Sequence, residues 1–315
     1  MNQSLQIRLS TLCFLALSTC PLLRAQETPA APAAVSPGPV PAAPEDKTLH
    51  KISGIFDTEL PKTERKGSIR FIVHPHLGDF TSRSYVRVPL GIRWGVNDHV
   101  EFTATVEPYF EHGLKSGSPG NGIGDVEFGS KYALKRLLDT EWDASTGVNI
   151  RLPVGSPPVD MTDGYNHYTP YLVVSRKSER TNDMTWFISG AVDLMQKSHV
   201  VGQFRKNDAH SSSVLLSTGF VLDRYPYHYT LETGAQTTAL IGKDNQLFVF
   251  VKPGFAWDLP RWLTFDSHGR WLFGVSVKIT EGPDGTRIDS GGKIRGEFNL
   301  KRWFGRNKTK PAATP

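Results

Sequence analysis

Few residues in this chain are spaced for chemistry. Ala209-His210-Ser211-Ser212-Ser213 puts a histidine and a serine two positions apart. On an extended strand they would share a face, a base beside a nucleophile. Hydrolysis also needs an acid to orient the base and donors for an oxyanion, and the sequence marks neither. His74-Pro75-His76 places two imidazoles on one strand face, but a zinc site wants a third and a fourth ligand, and none is evident. The glycine-rich stretch Gly117 to Gly124 lacks the Gly-Lys-Ser/Thr ending of a phosphate loop and a helix after it, so nucleotide binding is excluded. The expectation is no catalytic residue, no metal, no cofactor and no enzyme.

The remaining reactive groups are charges, and their spacing is regular. Arg87, Arg93, Glu101, Glu107, Asp125, Glu127, Lys131, Arg151, Lys252, Arg270, Arg295 and Glu297 all alternate with apolar neighbours. Val86, Val88, Leu90, Ile92 and Trp94 oppose Arg87, Pro89, Gly91 and Arg93; Phe102, Ala104, Val106 and Phe110 oppose Glu101, Thr103, Thr105 and Glu107. A period of two is the signature of strands with unlike faces. Candidate strands run over about 68–76, 84–96, 99–112, 123–135, 141–155, 168–179, 184–197, 212–224, 227–241, 245–259, 263–279 and 293–304. They are roughly twice the usual 5–6 residues of a globular strand and near the 9–11 that cross a bilayer at a tilt.

The connections sort by parity. Asn97-Asp98, 136–140, 180–183, Tyr225-Pro226 and 260–262 are short; 113–122, 156–167, 198–211 and 280–292 are long and polar. Two connections on the long side, 77–83 and 242–244, are short. Short turns opposite long loops are the asymmetry of an outer-membrane barrel. Trp94, Trp142, Trp186, Trp257, Trp262 and Trp303 fall near the short-turn ends or the C-terminal end, with Trp271 elsewhere. Such a set fits a membrane interface, where indole rests an apolar ring on one polar N–H. The fold expected is an all-β, antiparallel transmembrane barrel of about twelve strands. A periplasmic β-sandwich is the soluble rival.

Composition agrees once it is read by position. No apolar run of about 18 residues occurs beyond the N-terminus, which excludes a helical membrane bundle, and a mean hydropathy of −0.31 does not exclude a barrel, because two opposite faces average out. Residues 1–25 read as a signal peptide, with Arg8, an apolar stretch from Leu12 to Leu23 and Ala25 at the end. Lipid attachment at Cys20 is the alternative. Both cysteines, Cys13 and Cys20, lie there, so the exported chain would carry no disulfide. Removing Arg8 and Arg24 takes the formal net charge from +5 to +3, too mild for nucleic acid. Residues 26–49 read as a Pro/Ala-rich periplasmic linker, too short and too poor in apolar residues to fold as a plug domain. The barrel is expected over 50–304, with a low-complexity tail at 305–315.

The charges listed above would line the lumen. They either pair across strands or set a transverse field along a water-filled path. Tyr171, Phe248, Phe250 and Leu272 are inward apolar positions, open to a solute or to an inserted loop. Gly122-Ile123-Gly124-Asp125-Val126-Glu127-Phe128-Gly129-Ser130-Lys131-Tyr132 resembles the Gly-x-Gly-Asp-x-x-x-Gly-x-Lys-Tyr stretch of a transporter-like family named for a putative MetA pathway of phenol degradation. The matching positions are Gly122, Gly124, Asp125, Gly129, Lys131 and Tyr132. The resemblance implies a barrel of the bacterial outer membrane that passes hydrophobic or aromatic compounds. The function expected is therefore passive passage of a small solute, with outer-membrane lipids and that solute as partners. An outer-membrane lipid hydrolase using His210 and Ser212, and a closed structural or binding barrel, are the alternatives.

Overall fold

A computed structural model describes residues 59–299 except 118–119, 135–136, 138–139, 155–157, 159–160, 163, 179, 182, 199–211, 241–245, 265–269 and 284. For Arg261, Arg270, Arg295 and residues 297–299 the description is of the backbone alone. The signal peptide, the Pro/Ala-rich linker, the tail and Trp303 lie outside the described residues.

Twelve antiparallel strands form one closed ring. They are β1 (Ser68–Val73), β2 (Tyr85–Arg87 and Leu90–Gly95), β3 (Val100–Glu111), β4 (Gly122–Leu134), β5 (Trp142–Pro153), β6 (Tyr165–Lys177), β7 (Met184–Lys197), β8 (Ser213–Arg224), β9 (Tyr227–Thr237), β10 (Leu247–Asp258), β11 (Arg270–Gly282) and β12 (Gly285–Asn299). Each pairs with the next. The ring closes where Ser68 to Val73 run against Asn299 to Ile294. Closure gives the wall no unpaired edge, so its backbone polar groups are satisfied within a hydrocarbon layer.

β2 is broken at Val88-Pro89 because proline has no N–H to add to the ladder. The Val88 N–H instead donates to the Pro108 carbonyl at 3.0 Å. A bulge between Val106 and Pro108 shifts the β3–β4 register at the same height.

The alternation is borne out in three dimensions. Leu90, Ile92, Trp94, Phe102, Phe128, Leu172, Ile188, Leu216 and Val277 all stand exposed on the outer face. Glu101, Lys131, Ser145, Ser175, Thr185 and Lys252 are buried on the inner face. The core is thus polar and the surface apolar, the reverse of a water-soluble domain.

Two expected boundaries move. The long loop at 280–292 is strand on both sides of a tight turn: Gly282 pairs with Gly285, and Thr280 with Arg287. Gly285 has φ +97°, where glycine is at ease. The strand expected at 263–279 begins at Arg270, after a 3₁₀ turn at Arg261–Thr264. That shift carries Trp271 to the short-turn end, where its carbonyl accepts from the Leu259 N–H at 2.9 Å. The tryptophan set apart by sequence therefore stands at the same end as Trp94, Trp142, Trp186, Trp257 and Trp262. A short helix, α1 (Asp79–Ser82), sits in the β1–β2 connection.

Candidate functional site

The lumen is furnished from the short-turn end by the chain that precedes β1. Residues 59–66 form an inserted strap, not wall. At the rim, Thr63 donates to the Asp98 carbonyl at 3.2 Å and the Gly67 N–H to the Gly95 carbonyl at 2.7 Å. Gly95 allows this crossing: a Cβ there would stand 2.3 Å from the Arg65 carbonyl oxygen and 2.5 Å from that of Glu64. Deeper in, Leu60 packs against the inward side chains Phe187, Val221, Ala256 and Leu272. Burying a leucine contributes about 1.5–3 kcal/mol, enough to seat the strap.

Charge fixes the rest of the strap. Arg93 binds both oxygens of Glu59 and reaches Glu101 at 3.0 Å. Lys131 lies 3.2 Å from each of Glu59 and Glu101 and donates to the Leu60 carbonyl at 3.3 Å. The Glu64 N–H donates to Glu101 at 2.7 Å, and the Glu64 carboxylate pairs with fully buried Arg70 at 2.5 Å. Every cation here faces a carboxylate, as burial of charge demands.

A second band lies toward the long loops. Asp79 of α1 receives Arg87 at 2.9 and 3.0 Å through the guanidinium and at 3.0 Å through the backbone N–H, and Arg83 stands 3.2 Å away. Burial alone would raise the Asp79 carboxyl, but the Arg87 hydrogen bonds and the two positive charges outweigh it and hold the group below the ordinary carboxylate range. Further round the wall, Arg151 approaches Asp125 at 3.9 Å and meets His167 at 2.9 Å. His167 contacts Asp193 at 2.8 Å, and Thr169 donates to the same carboxylate at 3.0 Å. Met161, from the β5–β6 connection, folds inward onto Tyr85 and Tyr109.

Between the two bands lies a cavity of about 280 Å³. Glu59 of the strap lines it with Arg93, Glu107, Glu127, Asn149 and Lys293, and His74, Thr103 and Thr105 complete its polar surface.

The charges read from sequence divide among these places. Arg93, Glu101 and Lys131 join the strap cluster, Arg87, Asp125 and Arg151 the upper band, and Glu107 and Glu127 the cavity. Lys252 is buried opposite Glu232 across β9–β10. Arg270, Arg295 and Glu297 have backbone positions on the last two strands, and their side chains lie outside the description.

The apolar positions are occupied by the protein itself. Leu272 has no exposed surface beneath Leu60. Lys278 lies over the Phe250 ring at 4.5 Å. A Cβ at Gly282 would touch the Phe248 ring, and one at Gly147 the Tyr171 ring. In the family-like stretch, Gly129 leaves room for Thr103 and Asn149, where a Cβ would fall 2.2 and 2.5 Å from their oxygens. Gly122 lies against Tyr109 and Gly124 beneath Met161, while Tyr132 faces outward. Sequence reasoning missed Glu59, Leu60 and Glu64. Their only signal was Leu60-Pro61, an apolar anchor in an otherwise polar approach to β1.

Ser212 accepts the Met195 N–H at 3.2 Å, and His210 lies outside the described residues. The His74 and His76 rings are 4.6 Å apart, and among the described residues no group of three or more His, Cys, Asp or Glu could hold a metal.

No family model and no curated protein matches the chain. Among solved structures it is similar to an outer membrane channel from Pseudomonas putida F1, with 10% identity, a TM-score of 0.52, and coverage of 77% of this chain and 98% of that one. It also aligns with the KdgM porin (12% identity, TM-score 0.39, 73% and 96% covered) and the NanC porin (12%, 0.41, 73% and 97%), both more loosely superposed. At such identities the likeness is one of fold. The chain is a closed twelve-stranded β-barrel, an architecture it shares with an outer-membrane channel.

Proposed function

We propose that the protein is a channel of a bacterial outer membrane that passes small solutes by diffusion. The observation that carries this reading is a polar cavity inside a barrel whose outer face is apolar. Water and a solute fit within the wall, and lipid fits outside it. The strap narrows the path at the short-turn end and Met161 narrows it at the other. The test is ion conductance of the full chain in planar bilayers, alone and as Leu60→Asp. The variant places a charge on the apolar seat and loosens the strap, so conductance rises at least severalfold over a small wild-type current. Silence from both proteins would mean a closed structural or binding barrel instead.

For the solute, one observation favours a hydrophobic or aromatic molecule. Leu60 covers an apolar seat of Phe187, Val221, Ala256 and Leu272. A strap that withdraws would offer that seat to such a solute, in line with what the resemblance to the MetA-type family implies. Uptake of phenol into liposomes, faster with Leu60→Asp than with the wild type, is the result expected of it.

A further inference from the structure

The cavity between the two bands is lined unevenly. On one side β3, β4 and β5 supply oxygen, from Thr103, Thr105, Glu127 and Asn149. On the other, Ile72 of β1 and Pro89 and Gly91 of β2 supply carbon.

Glycine gathers the oxygens. On the inner face of β4, Gly129 stands between Thr103 of β3 and Asn149 of β5 in one row. A Cβ there would fall 2.2 Å from the Thr103 hydroxyl and 2.5 Å from the Asn149 amide oxygen, so both converge over the same backbone position. Two residues back on the same face, Glu127 stands between Thr105 and Arg151. Gly91 leaves room for Thr105, whose hydroxyl would lie 3.2 Å from a Cβ at that position.

The other charges near this side are committed. Arg151 turns away from Glu127 to Asp125 and His167. Glu107 pairs with Arg87 at 3.8 Å, and Glu59 is held by Arg93 and Lys131. Lys293 lines the cavity from β12, four strands round the ring from β4. Thr103, Thr105, Glu127 and Asn149 make no side-chain hydrogen bond or ion pair among the described residues. Glu127 is therefore the lining carboxylate left to meet a solute, with three neutral oxygens beside it.

Such a set of acceptors calls for a donor. A primary ammonium group carries three N–H bonds and a charge, and its bond to a carboxylate is stronger in a partly desolvated cavity than in bulk water. Ile72 and Pro89 suit the hydrocarbon part of the same molecule. We propose that this cavity binds a small primary amine, its ammonium group on Glu127, Thr105 and Asn149 and its hydrocarbon part toward Ile72 and Pro89. The site deepens the channel reading, on which its place in a permeation path rests.

The test uses the full chain in detergent micelles and isothermal titration with butylamine, tetramethylammonium and butanol at neutral pH. Tetramethylammonium keeps the charge without an N–H, and butanol keeps the chain and a donor without the charge. Butylamine binds at least tenfold tighter than either. Glu127→Gln weakens it at least tenfold, and Arg224→Gln on the exposed rim leaves it unchanged. Butylamine binding no tighter than either of the other probes, or not binding to the wild type, overturns the site. That comparison needs no variant, so a substitution that unfolds the barrel does not spare the proposal. Selective binding without bilayer conductance sinks the channel and leaves the site; conductance without selective binding does the reverse.

Discussion

Asp79 shows how one residue holds a connection to the wall. It is almost fully buried, takes two arginines, and lies on a four-residue helix that has little stability of its own. Its carboxyl titrates below the usual range in the folded barrel, so its stabilisation is present above the unfolded value of about 3.9 and is lost as pH falls through the folded one. Asp79→Asn should cost about 1–3 kcal/mol at neutral pH. The gap between variant and wild type in urea midpoint, followed by the heat-modifiable gel shift, should shrink steadily below about pH 4. Gly129 makes a different demand, that of space. Gly129→Val forces two strand neighbours apart and should lower the same midpoint by about 1–3 kcal/mol without any pH dependence.

At the scale of elements, alternation made the long strands legible. β3 to β8 follow the expected spans within three residues at each end, because aromatic and aliphatic residues contrast sharply with charged ones there. β12 was not legible by the same signal. Gly291, Gly292 and Gly296 supply no side chain to define a face, so Thr286 to Ser290 read as loop. The Gly282-Pro283-Asp284-Gly285 sequence, a run of turn-forming residue types, was the overlooked cue. The strap was hidden for another reason: an inserted segment is defined by what it touches, and Leu60 gains meaning only beside Val221 and Leu272. The inward charges were visible as a set, but their partition into strap cluster, upper band and cavity depends on register and tilt, which alternation does not carry.

For the molecule as a whole, the outer surface carries an aromatic belt at one rim. Trp94 lies against Phe102, Trp186 against Phe220, and Tyr227 and Tyr229 against Phe255. Trp262 is 74% exposed in the 3₁₀ turn. Such rings rest where hydrocarbon gives way to headgroups. In reconstituted vesicles, lipids brominated near the headgroup should quench the tryptophan fluorescence more than lipids brominated at the chain end. Equal quenching at both depths would move the belt off the interface.

The seam of the ring has a mechanical consequence. β1 meets β12 over six residue pairs, whereas β11 meets β12 over thirteen. The strap is tied to that short clasp directly, because Glu64 grips Arg70 within β1 and Gly67 leads straight into it. A tug that drew Leu60 from its seat would load β1 first, a short strand held by six residue pairs on one side and five on the other. Stopper and hoop thus share one fastening, and the tension that uncorks the barrel is the tension that tests its clasp.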